Sequence, residues 1–163
     1  MRTIKFRGKK VTNGVWAYGS LVYLDENGAA IYVQTVNGSA MVVDLVYVAP
    51  DTVCQFTGFL DKNGKEIYEG DVLRSDEYPY SCIGDKKRDN YYAVVYYCEE
   101  GACFGTVTAK NPSSDVGGIS DGILDDVERE KMKKFEVVGN IHEENWQQYG
   151  EYFKNEEKEA DND

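Results

Sequence analysis

Apolar runs rich in Val, Ile, Tyr and Phe alternate along most of this chain with short polar turns. Residues 4–9, 15–24, 30–36, 41–48, 53–56 and 72–74, followed by 91–98, 103–108 and 135–141, are predicted to be β-strands. Four Asn-Gly dipeptides punctuate them: Asn13-Gly14, Asn27-Gly28, Asn37-Gly38 and Asn63-Gly64. Asn and Gly both tolerate the positive φ that a two-residue hairpin turn demands, so each marks a reversal of direction. The first four strands read as a meander. A sheet this aromatic and this closely connected tends to curl over itself, so the expected fold is mainly β with minor α, a small, partly closed barrel.

Two stretches break the pattern. Residues 76–90 contain Tyr78-Pro79-Tyr80 and the basic cluster Lys86-Lys87-Arg88, and read as a long excursion between strands; residues 110–122, with Asn111-Pro112 and Gly117-Gly118, read as a loop. A short helix is predicted over 124–133, with Asp125 and Asp126 near its start and Lys131, Lys133 and Lys134 near its end, the order that a helix dipole favours. Over 143–158, Trp146, Tyr149 and Phe153 recur at helical spacing, which predicts a C-terminal helix capping the barrel and running into an acidic tail. The expected organisation is one domain over 1–150 and a tail over 151–163.

With 163 residues and 42% hydrophobic content the chain can bury a core of its own. Its formal net charge of −11 works against non-specific attraction to nucleic acid or to an anionic membrane. The charge is uneven. Arg2, Lys5, Arg7, Lys9 and Lys10 precede the first acid, Asp25, whereas Glu151, Glu156, Glu157, Glu159, Asp161 and Asp163 crowd the C-terminal end. The simpler reading of both is a solvated flank. Cys54, Cys82, Cys98 and Cys103 form no C-x-x-C, and with no secretory signal in view they read as reduced thiols that mostly pack as small apolar groups. No apolar run approaches the roughly twenty residues of a membrane helix.

Candidate chemistry is sparse. His142 is the single histidine, in Gly139-Asn140-Ile141-His142-Glu143 at a strand end, and is the one possible base for a Cys or Ser nucleophile. Cys98-x₄-Cys103 without a second close pair is a weak zinc signal. Neither a phosphate-cradling P-loop nor a dinucleotide fingerprint occurs. Asp61, Glu66, Glu69 and Asp71 gather near two turns and could offer oxygen ligands to a divalent cation. Asp and Asn before Gly have a simpler use, since their side chains bond nearby backbone and hold the turn. No cofactor or metal is expected.

Three blocks resemble a known family. Arg2-Thr3-Ile4-Lys5-Phe6-Arg7-Gly8 is similar to the opening of the YopX proteins of phages and prophages. Gln55-Phe56-Thr57-Gly58, followed by Asp61-Lys62-Asn63-Gly64-Lys65-Glu66-Ile67-Tyr68-Glu69-Gly70-Asp71-Val72, resembles that family's central signature. Residues 135–143, with Gly139 and Asn140, resemble its C-terminal one. The resemblance implies a mostly β core capped by a helix, self-association into a homo-oligomer, life in a bacterial host's cytoplasm, and no established activity. The chain departs from the family pattern over 110–134 and after Asn145.

Within the central block, Gly58 and Gly70 suit positive φ or close backbone approach, Asn63-Gly64 forms the hairpin turn, and Ile67, Val72 and Leu73 point to the core. Gln55, Thr57, Glu66, Tyr68 and Asp71 remain for partner contact. The leading expectation is a non-enzymatic, self-associating binding module that contacts a host or phage protein. The alternatives are an acidic decoy of a DNA-binding protein, a small barrel binding nucleic acid through its basic strand and stacked tyrosines, and a carboxylate-based metal enzyme.

Overall fold

The computed structural model describes residues 3–24, 28–76, 91–99, 101–108, 122–123 and 132–144. The chain divides into two compact units, Met1–Gly58 and Phe59–Asp163.

The first unit is the predicted meander. Strands β1 (Phe6–Lys9), β2 (Trp16–Tyr23), β3 (Ala29–Asn37) and β4 (Ala40–Val48) pair antiparallel in succession, and a 3-10 turn, Pro50–Thr52, leads into β5 (Cys54–Leu60). The Asn-Gly pairs mark turns where they are described, but only their glycines take positive φ, and the β3–β4 turn is made by Gly38-Ser39 between the paired Asn37 and Ala40. Gly14 and Gly38 adopt φ of 69° and 64°, and the Asn13 carboxamide oxygen accepts the Val15 N–H at 3.1 Å. The β3–β4 register runs without a break from Ala29 opposite Val48 to Asn37 opposite Ala40. Ala17, Ala29, Ile31 and Val48 form the core of this unit, flanked by Phe6, Leu21, Val33, Val46 and Val53. At Gly8 the backbone passes so close to Val48 that an added Cβ would lie 2.8 Å from its Cγ2. Arg7, although cationic, is buried, its guanidinium 4.4 Å from the centre of the Trp16 ring.

In the second unit the end of β5 turns at Asn63-Gly64 into β6 (Glu66–Tyr68), the Asp61 N–H donating to the Lys65 carbonyl at 2.8 Å. Strands β7 (Asp71–Ser75), β8 (Tyr91–Cys98), β9 (Cys103–Thr108), β10 (Gly122–Ile123) and β11 (Glu136–Asn140) form an antiparallel sheet in the order β10-β9-β8-β7-β11. Its core gathers Phe59, Ile67, Leu73, Ala93, Val95, Phe104, Met132, Phe135 and Val137. Burial of this apolar set is the main favourable contribution to the unit's stability, at about 25 cal/mol for each Å² removed from water.

The β class holds, but the barrel does not. Closure needs the first strand of the meander to pair with its last. Here β1 is already flanked by β2 on one side and by β5 on the other, with Phe6 opposite Gln55 and Arg7 opposite Cys54. The strand order is β4-β3-β2-β1-β5-β6, so β4 is left at an edge and both sheets stay open. Strand β5 also runs past its predicted end, because Gly58, at φ 92°, is accommodated within it. Gly122, expected in a loop, pairs with Thr106. The excursion over 77–90, most of the 124–133 helix, and the capping helix from Asn145 onward lie outside the described residues, and no C-terminal helix is shown.

Candidate functional site

The polar residues of the signatures from Asp61 onward converge within the second unit. Asp61 directly follows β5 and is 4% exposed. Its Oδ1 accepts the backbone N–H of Asn63 at 2.7 Å and of Lys65 at 2.9 Å, closing the Asn63-Gly64 turn, where Gly64 takes φ 79°. Its Oδ2 accepts the Val137 N–H of β11 at 3.0 Å. One carboxylate therefore fixes both the hairpin and the strand beside it. A buried charge satisfied by three N–H donors is held firmly, since each such bond to an ionised acceptor is stronger than a neutral one.

Asp71 and Asn140 make the second node. They stand opposite each other in the β7–β11 ladder, and Asn140 Nδ2 donates to Asp71 Oδ1 at 3.2 Å and to the Glu69 carbonyl at 3.4 Å. Asp71 Oδ2 accepts the Tyr68 N–H at 2.8 Å, while Asn140 Oδ1 accepts the His142 N–H at 2.9 Å. Between them passes Gly70, at φ 73°, whose N–H donates to the Val95 carbonyl and whose carbonyl accepts the Ile141 N–H. A Cβ at Gly70 would lie 3.1 Å from both Asn140 Nδ2 and Ile141 Cγ1. Close approach and left-handed backbone both call for glycine here.

At the margin of these nodes, the buried Tyr68 donates its hydroxyl to Glu66 Oε2 at 2.7 Å. Lys62 Nζ meets Glu136 Oε2 at 2.8 Å, and Arg74 Nη2 reaches the same oxygen at 3.4 Å. The hydrogen bond and charge of Lys62 hold the Glu136 carboxyl below its ordinary value, with Arg74 adding to the effect.

Asp61, Asn63, Gly64, Glu66, Tyr68, Gly70, Asp71 and Asn140 thus belong to one hydrogen-bonded framework, and Gly139 sits just past the β11 irregularity, opposite Val72. Gln55, Thr57 and Gly58 belong to the first unit, Thr57 buried and Gln55 half-buried on β5. Among the described residues no three His, Cys, Asp or Glu side chains gather to hold a metal ion. The turn chemistry expected of Asp61 is what the geometry displays, and the carboxylates of Asp61 and Asp71 both accept backbone N–H groups. His142 contributes its backbone to the Asn140 turn. Cys54 is buried, and its thiol donates to the Thr52 carbonyl at 3.3 Å.

Three features escaped the reading of the chain alone. The Lys62–Glu136–Arg74 group depends on the β7–β11 register, which no local pattern announces. Cys98 and Cys103 stand directly opposite each other in the β8–β9 hairpin. The third is the outer face of the first unit's sheet. Ala29, Ile31 and Val33 of β3 point to the core, so alternation turns Tyr32, Gln34 and Val36 outward, beside Leu45, Val43 and Met41 of β4. Tyr18 and Tyr47 extend this row, and its large apolar members are 38–74% exposed. A signal was present. The run Met41-Val42-Val43-Asp44-Leu45-Val46-Tyr47-Val48 does not alternate, as an antiparallel strand with one wetted face should.

The model of the family described as YopX protein matches residues 5–145. Among solved structures, the chain is similar to the crystal structure of protein EF1440 from Enterococcus faecalis, with 19% sequence identity and a TM-score of 0.50 over 91% of this chain and 99% of that one. At that identity the likeness speaks for the fold alone. No curated protein matches the sequence.

Proposed function

The chain belongs to the YopX family, and from that premise we propose that it is a non-enzymatic binding module whose working surface is the outer face of the β2–β3–β4 sheet. The occupant is a second copy of the same chain, packed face to face. One observation carries this reading: Tyr18, Tyr32, Val36, Met41, Val43, Leu45 and Tyr47 form an exposed apolar row on one side of a regular sheet.

Two arguments favour a second copy. The chain's net charge of −11 opposes association of identical molecules at long range, so a self-contact needs a face that brings no further like charges together. The outward positions of β3 and β4 carry no charge. Taking each fully exposed aromatic side chain at about 200 Å², the row offers on the order of 600 Å² per molecule, or roughly 1,200 Å² for two copies, the lower bound of a stable interface. A patch of this size is also at the upper end of what monomers leave uncovered. Two such sheets pack naturally with side chains interdigitated, and a two-fold contact sets the same patch against itself.

No helix among the described residues is long and apolar enough to cross a membrane. The basic strand gives little support to nucleic-acid binding, because Arg7 is buried against Trp16. Light scattering on the eluting protein tests the proposal. The wild-type chain should elute at a multiple of 18.4 kDa, and Leu45→Lys and Tyr47→Lys should elute at that mass with unchanged circular dichroism. A wild-type chain that stays single at its highest soluble concentration overturns the reading, and so do variants that keep the wild-type mass.

A further inference from the structure

The β8–β9 hairpin carries an arrangement that neither its packing nor the proposed interface uses. Cys98 closes β8 and Cys103 opens β9, and the two are direct register partners. Directly opposed residues in an antiparallel pair have Cα atoms about 4.5–5.5 Å apart, inside the roughly 4.4–6.8 Å window of a disulfide. The sulfurs also lie near one another. A Cβ built on Gly101 would lie 3.0 Å from Cys103 Sγ and 3.5 Å from Cys98 Sγ, so both thiols flank the same point of the turn. Cys98 Sγ accepts the Gly101 N–H at 3.4 Å, which directs that sulfur over the turn. Ala102, at φ 48°, turns the chain back into β9. Both thiols are free and only partly covered, in contrast to the buried Cys54.

We propose that Cys98 and Cys103 form a modification site, a cross-strand dithiol that a small disulfide oxidant of the glutathione type closes reversibly into a disulfide. One protein thiolate attacks a sulfur of the oxidised glutathione, whose S–S bond breaks and releases one glutathione thiolate. The second protein thiolate attacks the protein sulfur of the mixed disulfide, the Sγ–Sγ bond forms, and the second glutathione leaves. The protein loses two protons and two electrons; oxidised glutathione accepts both and ends as two thiols. The opposed register makes the second step intramolecular, so the mixed disulfide should not accumulate. Partial exposure places the bond in the labile class of disulfides.

The test is incubation of the native chain in a series of glutathione redox buffers, acid quenching, and mass mapping of proteolytic fragments. The expected result is a single species lighter by two hydrogen atoms, with the link mapped to Cys98 and Cys103. Reductant should return both thiols, and reactive thiols should fall by two on oxidation. Cys98→Ser and Cys103→Ser should each stop at one glutathione adduct. Should either variant misfold, immobilised phenylarsine oxide, which needs two close thiolates, serves on the wild type, and reduced but not oxidised chain should be retained. Persistence of both thiols in the most oxidising buffer, a stable glutathione adduct on the wild-type pair, or a link through Cys54 or Cys82 would overturn the proposal.

Discussion

Asp61 Oδ2 accepts the backbone N–H of Val137, a residue 76 positions further along the chain, at 3.0 Å. Through this bond the Asn63-Gly64 hairpin and strand β11 share one buried carboxylate, and the carboxylate's other oxygen has no slack, because it already holds Asn63 and Lys65.

Asp61→Ala leaves three backbone donors without their acceptor and should destabilise the chain by about 3–5 kcal/mol. Asp61→Asn keeps one oxygen for the turn but offers an NH₂ to the Val137 N–H, and should cost about 1–3 kcal/mol. Urea unfolding monitored by tryptophan fluorescence measures both. An Asp61→Ala variant as stable as wild type would refute the assigned role.

The Asp71–Asn140 pair predicts the pH dependence of a charge variant. Asn140→Asp puts a second carboxylate where Nδ2 lies 3.2 Å from Asp71 Oδ1, so one of the two must bind a proton at a pH above the ordinary carboxylate range. The folded variant then binds more protons than its unfolded chain, and its stability falls as pH rises. Thermal melts should show the largest deficit relative to wild type near neutrality, about 2–4 kcal/mol, and recovery as the pH is lowered towards 5.

Gly70 and Gly64 separate two costs that are usually confounded. Both adopt positive φ, but a Cβ at Gly64 meets nothing within 4 Å whereas one at Gly70 meets Asn140 and Ile141 at 3.1 Å. Gly64→Ala should therefore cost about 1–2 kcal/mol from backbone conformation alone. Gly70→Ala adds crowding and should cost about 2–4 kcal/mol. Equal losses in denaturant titrations would show that crowding is absent.

Glu136 titrates below its ordinary value because Lys62, and to a lesser degree Arg74, favour its charged form. The stabilisation is thus present above the ordinary carboxylate range and is lost as pH falls through the lowered folded value. Lys62→Met should move the Glu136 transition upward in a carbon-detected NMR titration, and Arg74→Met should move it upward by less.

Much of this framework could be read from short range. Asp61 before Asn63-Gly64, and Gly70 before Asp71, announce turns through side chain–backbone bonding and positive φ, and both act in that way. The partners at long range could not be read so. Nothing near Asp61 specifies Val137, and nothing near Asp71 specifies Asn140, since cross-strand pairing is decided by the whole sheet. The barrel failed for a related reason. Alternation identifies strands, but the position of β5 against β1, which leaves β4 at an edge, follows from which edge burial favours. The exposed row through Tyr32 and Tyr47 was written in the non-alternating β4, whose apolar residues at first suggest burial on both faces.

The distance in sequence between Asp71 and Asn140 also sets an order of events during synthesis. The cross-strand contacts of the first unit are complete within Met1–Gly58, so its meander can be assembled while the remainder is still being translated. In the second unit, β7 acquires its β11 neighbour, and Asp71 its amide partner 69 residues away, only after Asn140 has left the ribosome. Until then Asp61 and Asp71 are carboxylates awaiting donors. A message truncated before codon 137 should therefore yield a nascent chain whose first unit can form while its signature block lacks its long-range ties.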